Sequence, residues 1–180
     1  MTEIYGIVPA VNDFTQLRRF LDSEYPLCVV MNRHISNLET IAKILQEGKK
    51  HALVHCDLIH GLAPDEYGAE YLCARFRPAG VISIRPAVIS ACKRLGVTAI
   101  QRAFLIDSSA LAKSLAAIEK AKPDYVELLP ALCTPLFPML KEKIGLPLIA
   151  GGLIQSKDMA LEILQSGVQA VTISMDKLKE

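Results

Sequence analysis

Two hydrophobic rhythms alternate along this chain. Short, nearly continuous apolar runs occupy Ile4–Ala10, Leu27–Met31, Ala52–Asp57, Ala79–Ser83, Thr98–Ala103, Asp124–Leu129, Leu146–Ala150 and Ala170–Ser174. Runs of this kind read as strands buried on both faces. Between them apolar residues recur at helical spacing, as in Leu38, Ile41, Ala42 and Leu45, or Leu111, Leu115 and Ile118. Each of these stripes is one face of an amphipathic helix. Gly48, Gly96, Gly145 and Gly167 close helices just before the next strand, and Asp13, Ser36, Asp107 and Ser156 are the expected N-caps.

Strict strand–helix alternation demands a parallel sheet with right-handed crossovers, either open or closed. Eight strands match closure, and the G-x-G-x-x-G turn of a dinucleotide fold is absent after the first strand. The expected fold is therefore α/β, a compact (β/α)8 TIM-like barrel forming a single domain over residues 1–180. At 180 residues the chain falls short of the ~250 typical of this architecture. The helices must be trimmed, with the eighth, after Ser174, short or missing. A barrel left open beside strand 8 would expose apolar surface for a second subunit, so a homo-oligomer is an expectation.

Composition supports a buried core. Hydrophobic residues make up 51% and charged residues 22%, which excludes a disordered chain. With 20 basic against 19 acidic residues the net charge is only +1, so nucleic-acid binding would require a local patch. The five cysteines are scattered and form no CxxC pair, which argues against a disulfide framework or zinc knuckle. No membrane span or leader is evident, and the expected location is cytoplasmic.

The chemistry concentrates at strand ends. Leu146–Ile154 is an apolar strand that stops at Gly151 and Gly152 before a helix. Bare backbone amides there can approach a phosphate, and strand 7 is where such barrels usually hold one. Ser174 and the Met175 N–H would complete the cup from strand 8. Strand alternation places His55 and Asp57, Ser83 and Arg85, and Thr172 and Ser174 toward the barrel mouth, joined by Gln101 and Glu127. The same count turns Ile82 toward the helices and gives Arg102 the wrong phase for the interior unless it swings in from a loop. Asp57 and Glu127 need partners, which Arg85 and Arg102 can partly supply. His55, Asp57 and His60 do not converge well enough for a metal site, and neither a metal nor a cofactor is expected.

The residues His51–Leu62, Gly80–Arg85, Thr98–Ser108, Asp124–Pro130 and Ile149–Ile154 together resemble the glycerol uptake operon antiterminator regulatory proteins, over nearly the whole chain. Arg85 stands where that family usually has lysine, the loop Ala131–Pro138 is idiosyncratic, and the family's aromatic terminus is missing. The resemblance implies a barrel that binds glycerol 3-phosphate as effector and acts on the leader of a messenger RNA to prevent premature termination. Gly151, Gly152 and Ser174 would then hold the phosphate. Asp57, Gln101, Arg102 and Glu127 would meet the glycerol hydroxyls or order the cavity.

An enzyme acting on phosphorylated sugars is the alternative, with Glu127 as base and His55 as electrophile. No lysine lies inside a predicted strand, which disfavours Schiff-base chemistry. No RNP1, KH or arginine-rich RNA module is present. Of the basic pairs Arg18-Arg19, Lys49-Lys50, Arg75/Arg77 and Lys93-Arg94, the expected RNA patch is Arg75, Arg77, Lys93 and Arg94, on neighbouring helices.

Overall fold

The computed structural model describes residues 3–178. Eight parallel strands close into a barrel: β1 Gly6–Val11, β2 Leu27–Val30, β3 His51–His55, β4 Gly80–Ser83, β5 Thr98–Phe104, β6 Tyr125–Leu129, β7 Leu148–Gly151 and β8 Ala170–Ser174. The helices are α1 Phe14–Leu21, α2 Leu38–Glu47, α3 Glu66–Arg75, α4 Pro86–Arg94, α5 Ser108–Ala121, α6 Phe137–Ile144 and α7 Lys157–Leu164. The expected (β/α)8 order is observed. No α-helix follows β8 among the described residues, only a 3₁₀ turn over Met175–Lys177.

Caps start several helices where the sequence placed them. The Asp13 carboxylate accepts from Gln16 N at 2.7 Å, Asp107 from Ala110 N at 2.7 Å and Ser156 from Met159 N at 3.2 Å. Each satisfies an amide that the first turn leaves without an intrahelical acceptor. Ser36 does not cap α2. It lies in a 3₁₀ turn, Ile35–Asn37, that leads the chain into Leu38, and its amide donates to the His34 ring instead.

The barrel is filled by Val8, Val29, Leu53, Ile82, Ile100 and Ile149, all fully or almost fully buried. Large branched side chains in layers are what make such a barrel a core rather than a pore. The other strand face, with Cys28, Val54, Val81, Ala99, Val126 and Val171, packs under the helices. All five cysteine thiols are free.

The open edge on which the subunit expectation rested does not exist. Strand β8 pairs directly with β1 from Gly6↔Ala170 to Ala10↔Ser174. The terminal turn is clasped by α1, where Arg19 Nη1 and Gln16 Nε2 reach the two Asp176 carboxylate oxygens at 2.9 and 2.6 Å. Arg19 Nη2 also donates to Met175 O at 2.7 Å. This polar clasp occupies the place of an eighth helix. No helix of the described residues is long and apolar enough to cross a membrane.

Candidate ligand site at the barrel mouth

Parallel strands that start at one end of a barrel finish together at the other, so their C-terminal residues form a common rim. The register puts Arg102 of β5 directly opposite Glu127 of β6. Arg102 Nε donates to Glu127 Oε2 at 2.7 Å, and Thr172 Oγ1 of β8 donates to Glu127 Oε1 at 2.7 Å. The Glu127 side chain is 1% exposed and that of Arg102 11%. A carboxylate so deeply buried is tolerable because a cation and a hydroxyl satisfy both of its oxygens.

This arrangement reverses the expected facing on two strands. Ile82 and Ile100 belong to the interior cluster. Arg102, two residues on from Ile100, therefore points inward from within β5 and needs no swing from a loop. Ser83 and Gln101 take the helix-facing side instead. Both remain buried, and they serve the rim from behind. Gln101 Nε2 donates to Ile84 O at 2.9 Å, and Ser83 Oγ accepts from Arg85 N at 3.0 Å, so together they pin the loop between β4 and α4.

Asp57 follows β3 in a 3₁₀ turn, Cys56–Leu58. Its Oδ2 accepts from Ile84 N at 3.1 Å, and Arg85 Nε approaches Oδ1 at 3.6 Å. The two expected carboxylate–arginine partnerships, Asp57 with Arg85 and Glu127 with Arg102, are thus both present. His55 Nδ1 lies 3.6 Å from Asp57 Oδ2, yet the imidazole is neutral. Burial, assisted by the nearby Arg102 charge, pushes its pKa down to about 3. Both His55 nitrogens and Asp57 Oδ1 are buried without a hydrogen-bond partner among the described residues. His60 stands apart, in a two-residue ladder with His34.

The two glycines after β7 do different work. A Cβ on Gly151 would fall 2.3 Å from Thr172 Oγ1 and 2.9 Å from Glu127 Oε1, so this glycine makes room for the buried carboxylate. Gly152 is the turn itself, with φ +81°, and Leu153 follows at φ +63°. A turn of this kind can leave successive backbone N–H groups on one side, a concavity suited to anions. The Gly152 and Leu153 amides have no acceptor among the described residues. Because Gly151 is in register with Thr172, Ser174 ends the neighbouring strand beside this turn.

The mouth therefore combines two ion pairs, free amides on the β7–β8 side and buried polar atoms without a hydrogen bond on the β3 side. Sequence reasoning missed the β1–β2 rim, where Asn32 Nδ2 donates to Asn12 Oδ1 at 2.8 Å and Arg33 Nη1 to Asn12 O at 2.8 Å. The signal available was the polar run Asn32-Arg-His34 after an apolar strand, with Asn32 at φ +52°. Asparagine is among the few residues that tolerate that backbone. Of the predicted RNA patch, Lys93 is paired with Asp124 and Arg94 with Glu66, while Arg75 and Arg77 lie in a groove beside α2.

Comparison with known proteins places this geometry. The sequence matches the family described as glycerol-3-phosphate responsive antiterminator over residues 7–178. A structure of a glycerol uptake operon antiterminator regulatory protein from Listeria monocytogenes is 36% identical, with a TM-score of 0.89 over 93% of this chain and 90% of that one. A glycerol uptake operon antiterminator-related protein from Thermotoga maritima is 29% identical, with a TM-score of 0.82 over 96% of each chain. An uncharacterised Escherichia coli K12 protein is 29% identical over 92% of this chain and 87% of its own length. A deoxyribose phosphate aldolase from Aeropyrum pernix has the same fold at 16% identity, with a TM-score of 0.71 over 95% of this chain and 86% of that one. On this evidence the chain belongs to the glycerol-3-phosphate responsive antiterminator family.

Proposed function

We propose that this protein is a cytoplasmic regulator that binds glycerol 3-phosphate at the barrel mouth and, so loaded, acts on the leader of a glycerol-utilisation messenger RNA to prevent premature termination. The family membership supports the class of activity. The observation that carries the effector reading is the pair of unpartnered amides at Gly152 and Leu153 beside Ser174. They offer a phosphate several donors with no side chain in the way. Across the mouth, Asp57 Oδ1 and the neutral His55 ring offer acceptors for the glycerol hydroxyls.

In this reading Arg102 and Glu127 order the cavity through their mutual pair, and Gln101 holds the β4–α4 loop from behind. Gly151 keeps space for Glu127, so its part in phosphate binding is indirect. Among the described residues no strand carries a lysine, so a Schiff-base reaction lacks the strand-borne amine it would use. The protein works by switching: the effector favours the RNA-competent state only by the difference in its affinity for the two states.

Calorimetry with glycerol 3-phosphate against glycerol tests the effector. Binding of the phosphorylated form alone, abolished by Gly152→Asp, is the expected outcome, because the substitution puts a negative charge and a strained left-handed side chain into the cup. Equal binding of glycerol, or a Gly152→Asp variant that binds normally, removes the anion cup from the reading. Turnover assays with triose and pentose phosphates are expected to show no reaction.

A further inference from the structure

At the end of the barrel opposite the mouth, a groove of about 680 Å³ runs between α2 and α3. Its charged lining is Lys43, Lys49, Lys50, Arg75 and Arg77, with Glu39 the acidic member. In a chain whose net charge is only +1, this is a local concentration of positive charge. Lys93 and Arg94, on the adjoining α4, are neutralised by Asp124 and Glu66. Lys49, Arg75 and Arg77 have no such partner among the described residues.

The backbone sets two of these cations apart. After α4, α6 and α7 the left-handed residue that ends the helix is glycine, at Gly96, Gly145 and Gly167. After α2 and α3 the equivalent positions are Lys49 and Arg77, both at φ +54°. A cation there suits the helix dipole, but the left-handed backbone costs any residue other than glycine about 1 kcal/mol. Lys122, after α5, is a third left-handed cation at φ +49° and lies outside the groove; Lys49 and Arg77 both line it.

Lys50 joins the groove to a second feature. Its ammonium is fixed by Ser23 O at 2.7 Å and Tyr25 O at 2.8 Å. Tyr25 also lines a cavity of about 310 Å³ together with Pro26 and Tyr5. Tyr5, just before β1, is 64% exposed. Tyr25 itself is half-buried against the core, so Tyr5 is the one exposed ring of the two; a cationic track that leads to an exposed aromatic ring is an arrangement by which single-stranded nucleic acid is held, phosphates on the charges and a base stacked on the ring. An acidic protein partner would use the charges but has no need of the ring.

We propose that this end of the barrel is the RNA-binding surface, with single-stranded RNA laid along the α2–α3 groove and a base stacked at Tyr5. The proposal rests on the antiterminator reading for its partner, and it replaces Lys93 and Arg94 by Lys49 and Lys50 in the expected patch. It also leaves the mouth free for effector while RNA is bound.

The test is fluorescence anisotropy with two labelled probes, a glycerol-operon leader transcript and an oligouridine of about 20 nucleotides, each titrated across a range of salt. Lys49→Gly/Arg77→Gly removes two charges and relieves both left-handed strains, so its melting temperature should hold or rise. Its RNA affinity should fall roughly tenfold, with the salt slope reduced by about 1.4 for two lost phosphate contacts. Tyr5→Ser should weaken binding by roughly fivefold or more. Lys113→Glu/Lys120→Glu, a larger charge change on α5, should leave affinity within about twofold if the groove rather than net charge binds. Normal RNA binding by the glycine and Tyr5→Ser variants overturns the groove and leaves the antiterminator reading standing. A wild-type protein that binds neither probe, with or without glycerol 3-phosphate, overturns both. Loss in the glycine variant with none in Tyr5→Ser overturns the stacking and points to a partner read by charge alone.

Discussion

Replacing Arg102 by methionine keeps much of its apolar stem and removes the cation from a carboxylate that is 1% exposed. At the observed N–O separation of 2.7 Å, the direct attraction is roughly 6 kcal/mol for an effective dielectric near 20, most of it offset by the desolvation of both ions. What the variant loses is larger than that net balance, because Glu127 stays buried with only the Thr172 hydroxyl to satisfy it. Breaking one side of a buried pair costs about 3–5 kcal/mol, or a drop of about 10 °C in melting temperature for a chain of this size. Glu127→Gln should cost less, about 1–3 kcal/mol, because Arg102 lies nearer the rim and keeps a polar neighbour. The double variant Arg102→Met/Glu127→Gln should be more stable than the two single losses add up to, with a coupling energy of about 2 kcal/mol. Urea melts of the four proteins at pH 7, followed by circular dichroism, supply the cycle. Single-variant losses that add to within about 0.5 kcal/mol would show that the pair does not hold the barrel mouth together.

Three further outcomes follow from the same structure. His55 is neutral when folded, with a pKa near 3, but titrates near 6.5 when unfolded. The unfolded chain therefore takes up the proton first, and stability should fall by about 2 kcal/mol between pH 7 and pH 5; His55→Asn should lack this part of the acid sensitivity in melts across that range. Gly151→Ala should cost about 1–3 kcal/mol through its close approach to Thr172 Oγ1, and Thr172→Ala introduced beside it should restore part of the loss. If the rescue fails, the crowding is not at that hydroxyl. Asp176→Ala should cost only about 1 kcal/mol, since its carboxylate is about half exposed, and it should raise amide exchange first at the β8–β1 seam rather than throughout the barrel.

Much of the architecture was legible along the chain. The apolar runs marked all eight strands within a few residues, and Asp13, Asp107 and Ser156 marked helix starts, because burial on both strand faces and N-terminal capping are demands that neighbouring residues meet locally. Closure followed from the strand count, and the strand-end position of Asp57, Arg102, Glu127, Gly151, Gly152 and Ser174 followed from closure. Which face each residue takes did not. A strand repeats every two residues, so an error of one in phase exchanges its interior and exterior completely. That is how Ser83 and Gln101 came to be expected inside while Ile82 and Arg102 occupy the interior. The phase is set by what fills the barrel from the other strands: Ile82 and Ile100 are needed beside Leu53 and Ile149, and the register across β5 and β6 brings Arg102 to Glu127. The same holds for charge. Adjacent cations look alike in sequence, and only the packing of α4 against α3 and beside the start of β6, with Glu66 and Asp124 placed to meet Arg94 and Lys93, separates neutralised cations from free ones. Local sequence chose the elements because local forces make them; the tertiary structure chose the faces and partners because those depend on atoms distant along the chain.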